Sequence, residues 1–433
     1  MITLIQFVIV FAAILIGVRY GGVALGFWGA LGLIVLSVAF GVVPTAPPID
    51  VMLIIFAVCL CASCMEAVGG LDILVRFAAK IIRKNPKYVA VVAPVVSFFL
   101  TFCSGTGNVV YAILPVIYEV SYNANVRPER AMAAAAVSGQ VGITACPISA
   151  ATAAMVGLLE QNGFGDIGLG DVLMITFPAC LIGVLVSSFV GMFVGKELKD
   201  DMAYQARLAA GQVQPPEVLE EKELPKEASW SVAIFFGAII VIVVVGFFPE
   251  LRVLRGQESP VSMSLVIEAV MLAAGALMSL LCKPNVNRIV KSPVMTACVV
   301  SLGAVFGIAW MSDSFIHANS ATFMEVAGGL AQQVPVLAIM SALLSSQGAT
   351  TRAIMPLGFA LGISPMMLVA MFPAVNCLFI LPTSGPALAA VGMDRSGTTH
   401  IGKFVFNHSF QLPGLLMVAV AVAVGVVMVG IGF

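Results

Sequence analysis

Ser104-Gly105-Thr106-Gly107-Asn108-Val109-Val110-Tyr111-Ala112-Ile113-Leu114-Pro115 lies in the middle of an otherwise apolar stretch, residues 88 to 120. Glycines and small polar residues interrupt a helix there, and an interrupted helix in lipid leaves backbone N–H and C=O groups where no water reaches them. Such a break survives only when it is buried in protein or lines a polar cavity. Sliding the chain on itself by 241 residues lays this segment on Ser345-Ser346-Gln347-Gly348-Ala349-Thr350-Thr351-Arg352-Ala353-Ile354-Met355-Pro356, and five of the twelve positions coincide. Sliding by 235 lays Pro147-Ile148-Ser149 on Pro382-Thr383-Ser384, and Val156-Gly157 on Val391-Gly392. Four apolar stretches are therefore broken, in the same order in each half: 88 to 120, 131 to 160 at Cys146-Pro147, 333 to 363 around Ser345 to Thr351, and 365 to 393 at Pro382-Thr383-Ser384. One break is an ordinary kink. Four in matched order, with Ser, Thr, Asn and Gln at the breaks, are an internal repeat.

The rest of the chain supplies the membrane context for these breaks. Its 433 residues are 60% hydrophobic and only 10% charged, far outside globular usage. The net charge of -1 gives no electrostatic footprint for nucleic acid. Runs long enough to cross a bilayer cover 2 to 17, 22 to 44, 51 to 68, 170 to 195, 230 to 249, 261 to 282, 293 to 311 and 404 to 433. The first run has no basic residue before Arg19, so it lacks the charged start of a cleavable signal and reads as a retained helix. A charged segment, 196 to 229, with Pro215-Pro216 and eight acidic residues, divides the chain nearly in half.

Basic residues orient the spans. With 88 to 120 and 333 to 363 as re-entrant hairpins that enter and leave on one side, 18 Lys and Arg residues fall in the cytoplasm and only Arg252 and Arg255 outside. Both termini are then periplasmic, and the two hairpins open to opposite sides of the membrane. The expectation is an all-α polytopic membrane protein of two inverted-topology repeats. The first repeat is 1 to 195, with scaffold helices 2 to 68, a hairpin at 88 to 120, a broken helix at 131 to 160 and a helix at 170 to 195. A cytoplasmic linker follows at 196 to 229. The second repeat is 230 to 433, with scaffold helices 230 to 311, a hairpin at 333 to 363, a broken helix at 365 to 393 and a helix at 404 to 433.

Half-helix N-termini carry unpaired N–H groups and partial positive charge, which suits a carboxylate. Ser104, Thr106, Asn108, Ser149, Ser346, Gln347, Thr350, Thr351, Thr383 and Ser384 add directional hydrogen-bonding groups at those ends. Arg352 alone is placed at membrane depth, where a cation costs about 2.5 to 3.5 kcal/mol and is usually functional and paired. It either clamps an anion or snorkels, or bridges to Glu119, Glu268 or Asp313. The same polar tips could hold Na⁺ through carbonyls and hydroxyls. Glu66 and Glu119 read either as proton carriers or as residues of the membrane boundary.

Enzyme readings find little support. Gly168-Leu169-Gly170-Asp171 matches the GxGD of intramembrane aspartyl proteases, yet it starts a helix and has no Tyr-Asp partner in the chain. There is no HExxH, no GxSxG and no Walker A sequence. Cys59, Cys61 and Cys64 lie in an apolar run with no His nearby and read as small packing residues rather than soft-metal ligands. No cofactor or metal is expected, and transport, if any, is secondary.

Asn85-Pro86-Lys87-Tyr88, Gly105-Thr106-Gly107-Asn108 followed by Leu114-Pro115, Arg127-Pro128-Glu129-Arg130, and Ile401-Gly402-Lys403-Phe404-Val405-Phe406-Asn407-His408 resemble the anaerobic C4-dicarboxylate transporter (Dcu) family nearly end to end. The resemblance implies a bacterial inner-membrane carrier that exchanges fumarate, malate or aspartate for succinate. It also implies the elevator-type architecture of the wider ion-transporter superfamily, often as a homodimer. It places substrate at Ser104, Gly105, Thr106, Gly107 and Asn108, at Thr144, Cys146, Pro147 and Ser149, at Ser346, Gln347, Thr350, Thr351 and Arg352, and at Pro382, Thr383 and Ser384. Sodium-coupled relatives carry Ser-Asn-Thr at such tips. This chain has Ser-Gly-Thr-Gly-Asn and Ser-Gln-Gly-Ala-Thr, which does not imply sodium coupling.

Overall fold

The computed structural model describes residues 2–20, 23–47, 49–216, 224–256, 260–319, 347–360, 362–381, 384–402 and 407–432. Among them there is no strand, only an isolated bridge between Ile401 and His408. The first half runs α1 (Ile2–Tyr20), α2 (Ala24–Phe40), α3 (Ile49–Val68), α4 (Gly70–Lys84), α5 (Val89–Ser104), α6 (Val110–Asn123), α7 (Pro128–Val141), α8 (Ala150–Gln161) and α9 (Leu169–Gly191). The linker contributes α10 (Met202–Ala209). The second half runs α11 (Lys226–Phe247), α12 (Met263–Leu281), α13 (Val286–Val290), α14 (Pro293–Ala304), a π-helical turn Val305–Ala309, and α15 (Trp310–Ala318). It resumes with α16 (Gln347–Ala360), α17 (Pro365–Met371), a 3-10 stretch Phe372–Phe379, α18 (Gly385–Met393) and α19 (Gln411–Gly430). Residues 333–346 of the second hairpin, including Ser346, lie outside the described residues, as do Pro382 and Thr383.

Five helices among the described residues are long and apolar enough to cross a membrane: Pro86–Ser104, Leu169–Gly191, Lys226–Phe247, Met263–Leu281 and Gln411–Gly430. Three differences from the sequence reading have local causes. The span expected at 51 to 68 turns by 75° at Gly69 into the amphipathic α4, because Gly69 takes a left-handed φ of 93°. The span expected at 293 to 311 runs on to Ala318 through the π-helical turn, where Gly307 meets Gly26 so closely that a Cβ would overlap the Gly26 carbonyl. The break expected at Pro382 begins some ten residues earlier, after Met371, where Pro373 offers no N–H to continue an α-helix.

The packing repeats with the halves exchanged. α16 of the second half lies on α8 of the first, and α6 of the first lies on α18 of the second. α1 packs on α2 as α11 packs on α12, and the two long helices α9 and α19 pack on each other. Within the first half α5 and α7 approach through small residues, with Ser97 donating to the Ala135 carbonyl at 2.8 Å and Ser138 to the Pro94 carbonyl. Hydroxyl-to-carbonyl bonds of this kind hold helices together where apolar burial gives little drive.

Outside the apolar helices, the described part of the linker is folded down rather than strung between the halves. Arg127 binds Glu129 at 2.6 Å and Asp201 at 2.5 Å, Gln214 donates its N–H to the Arg395 carbonyl, and Tyr118 donates to the Gln214 carbonyl at 2.7 Å. Burial raises the Asp201 carboxyl, but the Arg127 guanidinium and the amides of α10 outweigh it and hold the group below the usual carboxylate range.

Candidate binding site at the broken helices

Four helix N-termini gather in two pairs, each pair taking one member from each half. α16 starts at Gln347 beside the start of α8, where a Cβ on Gly348 would touch the Ala150 Cβ at 3.7 Å. The short 3-10 turn Gly107–Val109 and the start of α6 lie against α18, whose first residue, Gly385, is so close to Tyr111 that a Cβ would overlap the phenol oxygen. Each pair therefore brings the positive dipole ends of two helices to the same space.

At the first tip, Gly105 takes φ 75° and its open face lies 3.2 Å from Ile148, so the hairpin packs directly on the break of α7 and α8. Ser104 is 4% exposed, and its hydroxyl is occupied locally, donating to the Leu100 carbonyl at 2.7 Å and the Thr106 carbonyl at 3.2 Å. Thr106 caps the turn by accepting from the Asn108 N–H at 3.3 Å, while the Asn108 side chain is exposed. At the α7 to α8 break, Cys146 donates its thiol to the Phe102 carbonyl, Pro147 is buried, and Ser149 caps α8 by accepting from the Thr152 N–H at 3.1 Å. These side chains build the ends that present the backbone, and only Asn108 among them has an exposed side chain.

Two pairs of side chains tie the halves together at the centre. Gln347 donates its amide to the Gln140 side-chain oxygen at 2.8 Å. Asn376 donates to the Thr144 hydroxyl at 2.8 Å, and Thr144 in turn donates to the Val141 carbonyl at 3.1 Å. Gln140 also abuts the first tip, since a Cβ on Gly107 would lie 2.6 Å from its amide nitrogen. A narrow crevice is lined by Ala136, Val137, Gln140, Asn376, Phe379, Ser384 and Ala387. Ser384 sits at the N-cap of α18, and its side chain makes no cap bond there.

Of the residues expected at the site, Gly105, Gly107, Asn108, Thr144, Ser149, Gln347 and Ser384 are brought together around this crevice and its two N-terminal pairs. Thr350 and Thr351 are fully buried on α16, and Thr351 donates back to the Gln347 carbonyl at 2.7 Å. Arg352 is only 2% exposed, with Asp313 of α15 within electrostatic reach. Glu119 is engaged by Arg83 at 2.8 Å, and Glu66 accepts from the Val294 N–H at 3.2 Å at the start of α14. Gln140, Asn376 and Tyr111 were not singled out from sequence. The signal was there: sliding by 236 residues lays Gln140 on Asn376, a lone amide in an apolar run of each half. No cluster of three His, Cys, Asp or Glu side chains converges among the described residues.

The comparisons agree with this architecture. A family model described as an anaerobic C4-dicarboxylate membrane transporter matches residues 2–433. The chain belongs to that family. Among its relatives, the anaerobic C4-dicarboxylate transporter DcuB of Escherichia coli O6:H1 is 41% identical over 437 residues, covering 98% of each chain. The C4-dicarboxylate transporter DcuA of Escherichia coli K12 is 41% identical over 432 residues, again covering 98% of each, and DcuA of Helicobacter pylori is 37% identical over 434 residues, covering 98% and 97%. These relatives of the family member described here are membrane transporters and not enzymes, which disposes of the GxGD reading. The solved YdaH transporter of Alcanivorax borkumensis, reported with an unusual topology, aligns with a TM-score of 0.60 over 95% of this chain and 98% of that one. At 15% identity this likeness concerns the fold alone.

Proposed function

We propose that the chain is a secondary carrier that exchanges C4-dicarboxylates (fumarate, malate, aspartate and succinate) across the bacterial inner membrane by alternating access. The observation that carries the reading is the pairing of helix N-termini. Two pairs, each built from both halves, flank one crevice, and a dicarboxylate has two anionic ends to place. The names of the relatives supply the substrate class. In the proposed cycle the hairpins, broken helices, α9 and α19 move as one body past a scaffold of 2 to 68 and 230 to 311, with the inverted orientation of the halves giving the two access states.

Counterflow in proteoliposomes tests the reading. Internal succinate drives uptake of labelled succinate with no Na⁺ or proton gradient imposed, since exchange needs only internal substrate. Uptake that depends on a Na⁺ or proton gradient instead makes the protein a coupled symporter, and current without acceleration by internal substrate makes it an anion channel.

The orientation has its own test. Single cysteines are placed at Gly165, an exposed loop position where a Cβ meets nothing within 4 Å, and at Gln214 in the linker, in a chain without its native cysteines. An impermeant maleimide is expected to label position 165 and leave position 214 unlabelled in cells with an opened outer membrane. Labelling of position 214 overturns the proposed orientation.

A further inference from the structure

Asn376 is 1% exposed and lines the crevice between the broken helices. Its amide orientation is fixed by chemistry rather than by choice of fit. The Pro373 carbonyl can only accept, so the group 3.0 Å from it is the NH₂, and the second N–H of that group goes to the Thr144 hydroxyl at 2.8 Å. Thr144 uses its own proton on the Val141 carbonyl, which leaves it an acceptor toward Asn376. Both donors of Asn376 are thus committed, and its Oδ1 is a buried acceptor with no hydrogen-bond partner among the described residues. A buried unsatisfied carbonyl of this kind is costly. A carboxylate oxygen could not satisfy it, because both are acceptors. What fits it is a donor attached to the carbon skeleton between the two carboxylates.

We propose that Asn376 reads the substituent next to the carboxylate. Its Oδ1 accepts a hydrogen bond from the hydroxyl of a 2-hydroxy or the ammonium of a 2-amino C4-dicarboxylate, and so favours malate and aspartate over succinate and fumarate. This deepens the dicarboxylate-carrier reading and rests on it. Ala136, Val137, Phe379 and Ala387 on the same crevice offer no acceptor side chain, Gln140 has its side-chain oxygen occupied by Gln347, and Ser384 carries a hydroxyl that can donate to a carboxylate as well as accept.

The test compares ligands that differ in the donor alone. Wild-type protein in proteoliposomes takes up labelled succinate by counterflow, against unlabelled L-malate, L-aspartate, succinate or 2-fluorosuccinate. Fluorine occupies nearly the space of the hydroxyl and cannot donate. Malate is expected to compete about tenfold better than fluorosuccinate, and in Asn376→Ala that ratio is expected to fall to near one, whatever loss is common to all the acids. Equal competition by malate and fluorosuccinate in the wild type overturns the proposal without recourse to any variant. So does a uniform loss in Asn376→Ala that keeps the ratio and matches Thr144→Val, because Asn376 is then a strut between helices. Loss of the malate preference when choline replaces Na⁺ also overturns it, by giving Oδ1 to a cation. If no C4 acid competes in the wild type, it is the carrier reading itself that fails.

Discussion

Arg352→Ala is expected to abolish dicarboxylate exchange, and Arg352→Lys to retain part of it. The side chain is 2% exposed on α16, the helix whose N-terminus meets that of α8, and it is proposed to hold one carboxylate of the substrate. Sliding by 241 places it where the first half has Tyr111, the residue lying over the first glycine of α18, so the two halves carry different polar groups at equivalent points of the repeat. An ammonium keeps the charge and loses the planar pair of donors that fits a carboxylate. Asp313 provides the rival account, because its carboxylate lies within electrostatic reach and removing one member of a buried pair costs about 3 to 5 kcal/mol through the charge left behind. The double variant separates the two. Replacing both members of a pair that serves only structure removes the charge left behind, so exchange that recovers in Arg352→Ala/Asp313→Asn relative to Arg352→Ala gives the arginine to Asp313. A folded, monodisperse double variant that binds no succinate gives it to the substrate.

The architecture was legible where the sequence violates its own environment. A Gly-Thr-Gly-Asn or Cys-Pro run inside twenty apolar residues has one physical outcome in lipid, a broken helix buried in protein, and the second-half counterparts confirm each other by order. The helix starts at Val110, Ala150, Gln347 and Gly385 follow those breaks within a few residues. The side chains that join the halves were less visible. Gln140 sits in the Ala-rich α7 and Asn376 in Pro373-Ala374-Val375-Asn376, and a single amide in an apolar helix carries no periodic signal of which face it uses. Their importance comes from pairing with Gln347 and Thr144, at separations of 207 and 232 residues, which periodicity cannot report. Ser104, Ser149 and Thr351 show the converse: their hydroxyls read as ligands, and each donates to a carbonyl of its own backbone turn. Short polar side chains at a break are drawn first to the nearest orphan carbonyl or N–H, and only what remains is offered to a ligand.

Gly183→Leu is expected to destroy the fold, whereas Gly191→Leu on the same helix is tolerated. α9 and α19 occupy equivalent places in the two halves and pack on each other along their length. Gly183 is where they come closest: a Cβ there would overlap the Met417 carbonyl and stand 3.3 Å from the Ala421 nitrogen. Ser187, one turn on, donates to the Pro413 carbonyl at 2.9 Å across the same contact. Sliding by 242 places Gly183 on Gly425, whose own open face lies 2.9 Å from the Ala370 carbonyl, so both long helices rely on a missing side chain at the same point. A backbone carbonyl cannot swing aside as a side-chain tip can, so a leucine forces the helices apart and takes the Ser187 bond with it. Overpacking by a few methylenes costs about 1 to 3 kcal/mol in a core that can adjust, and this one meets backbone on the far side. Gly191 faces nothing within 4 Å, which makes its leucine variant a control for helix propensity and added surface. In detergent, Gly183→Leu should run as aggregate by size-exclusion chromatography or melt at least about 5 °C below wild type, with Gly191→Leu unchanged. A monodisperse Gly183→Leu with wild-type melting would mean that α9 and α19 do not cross at this glycine.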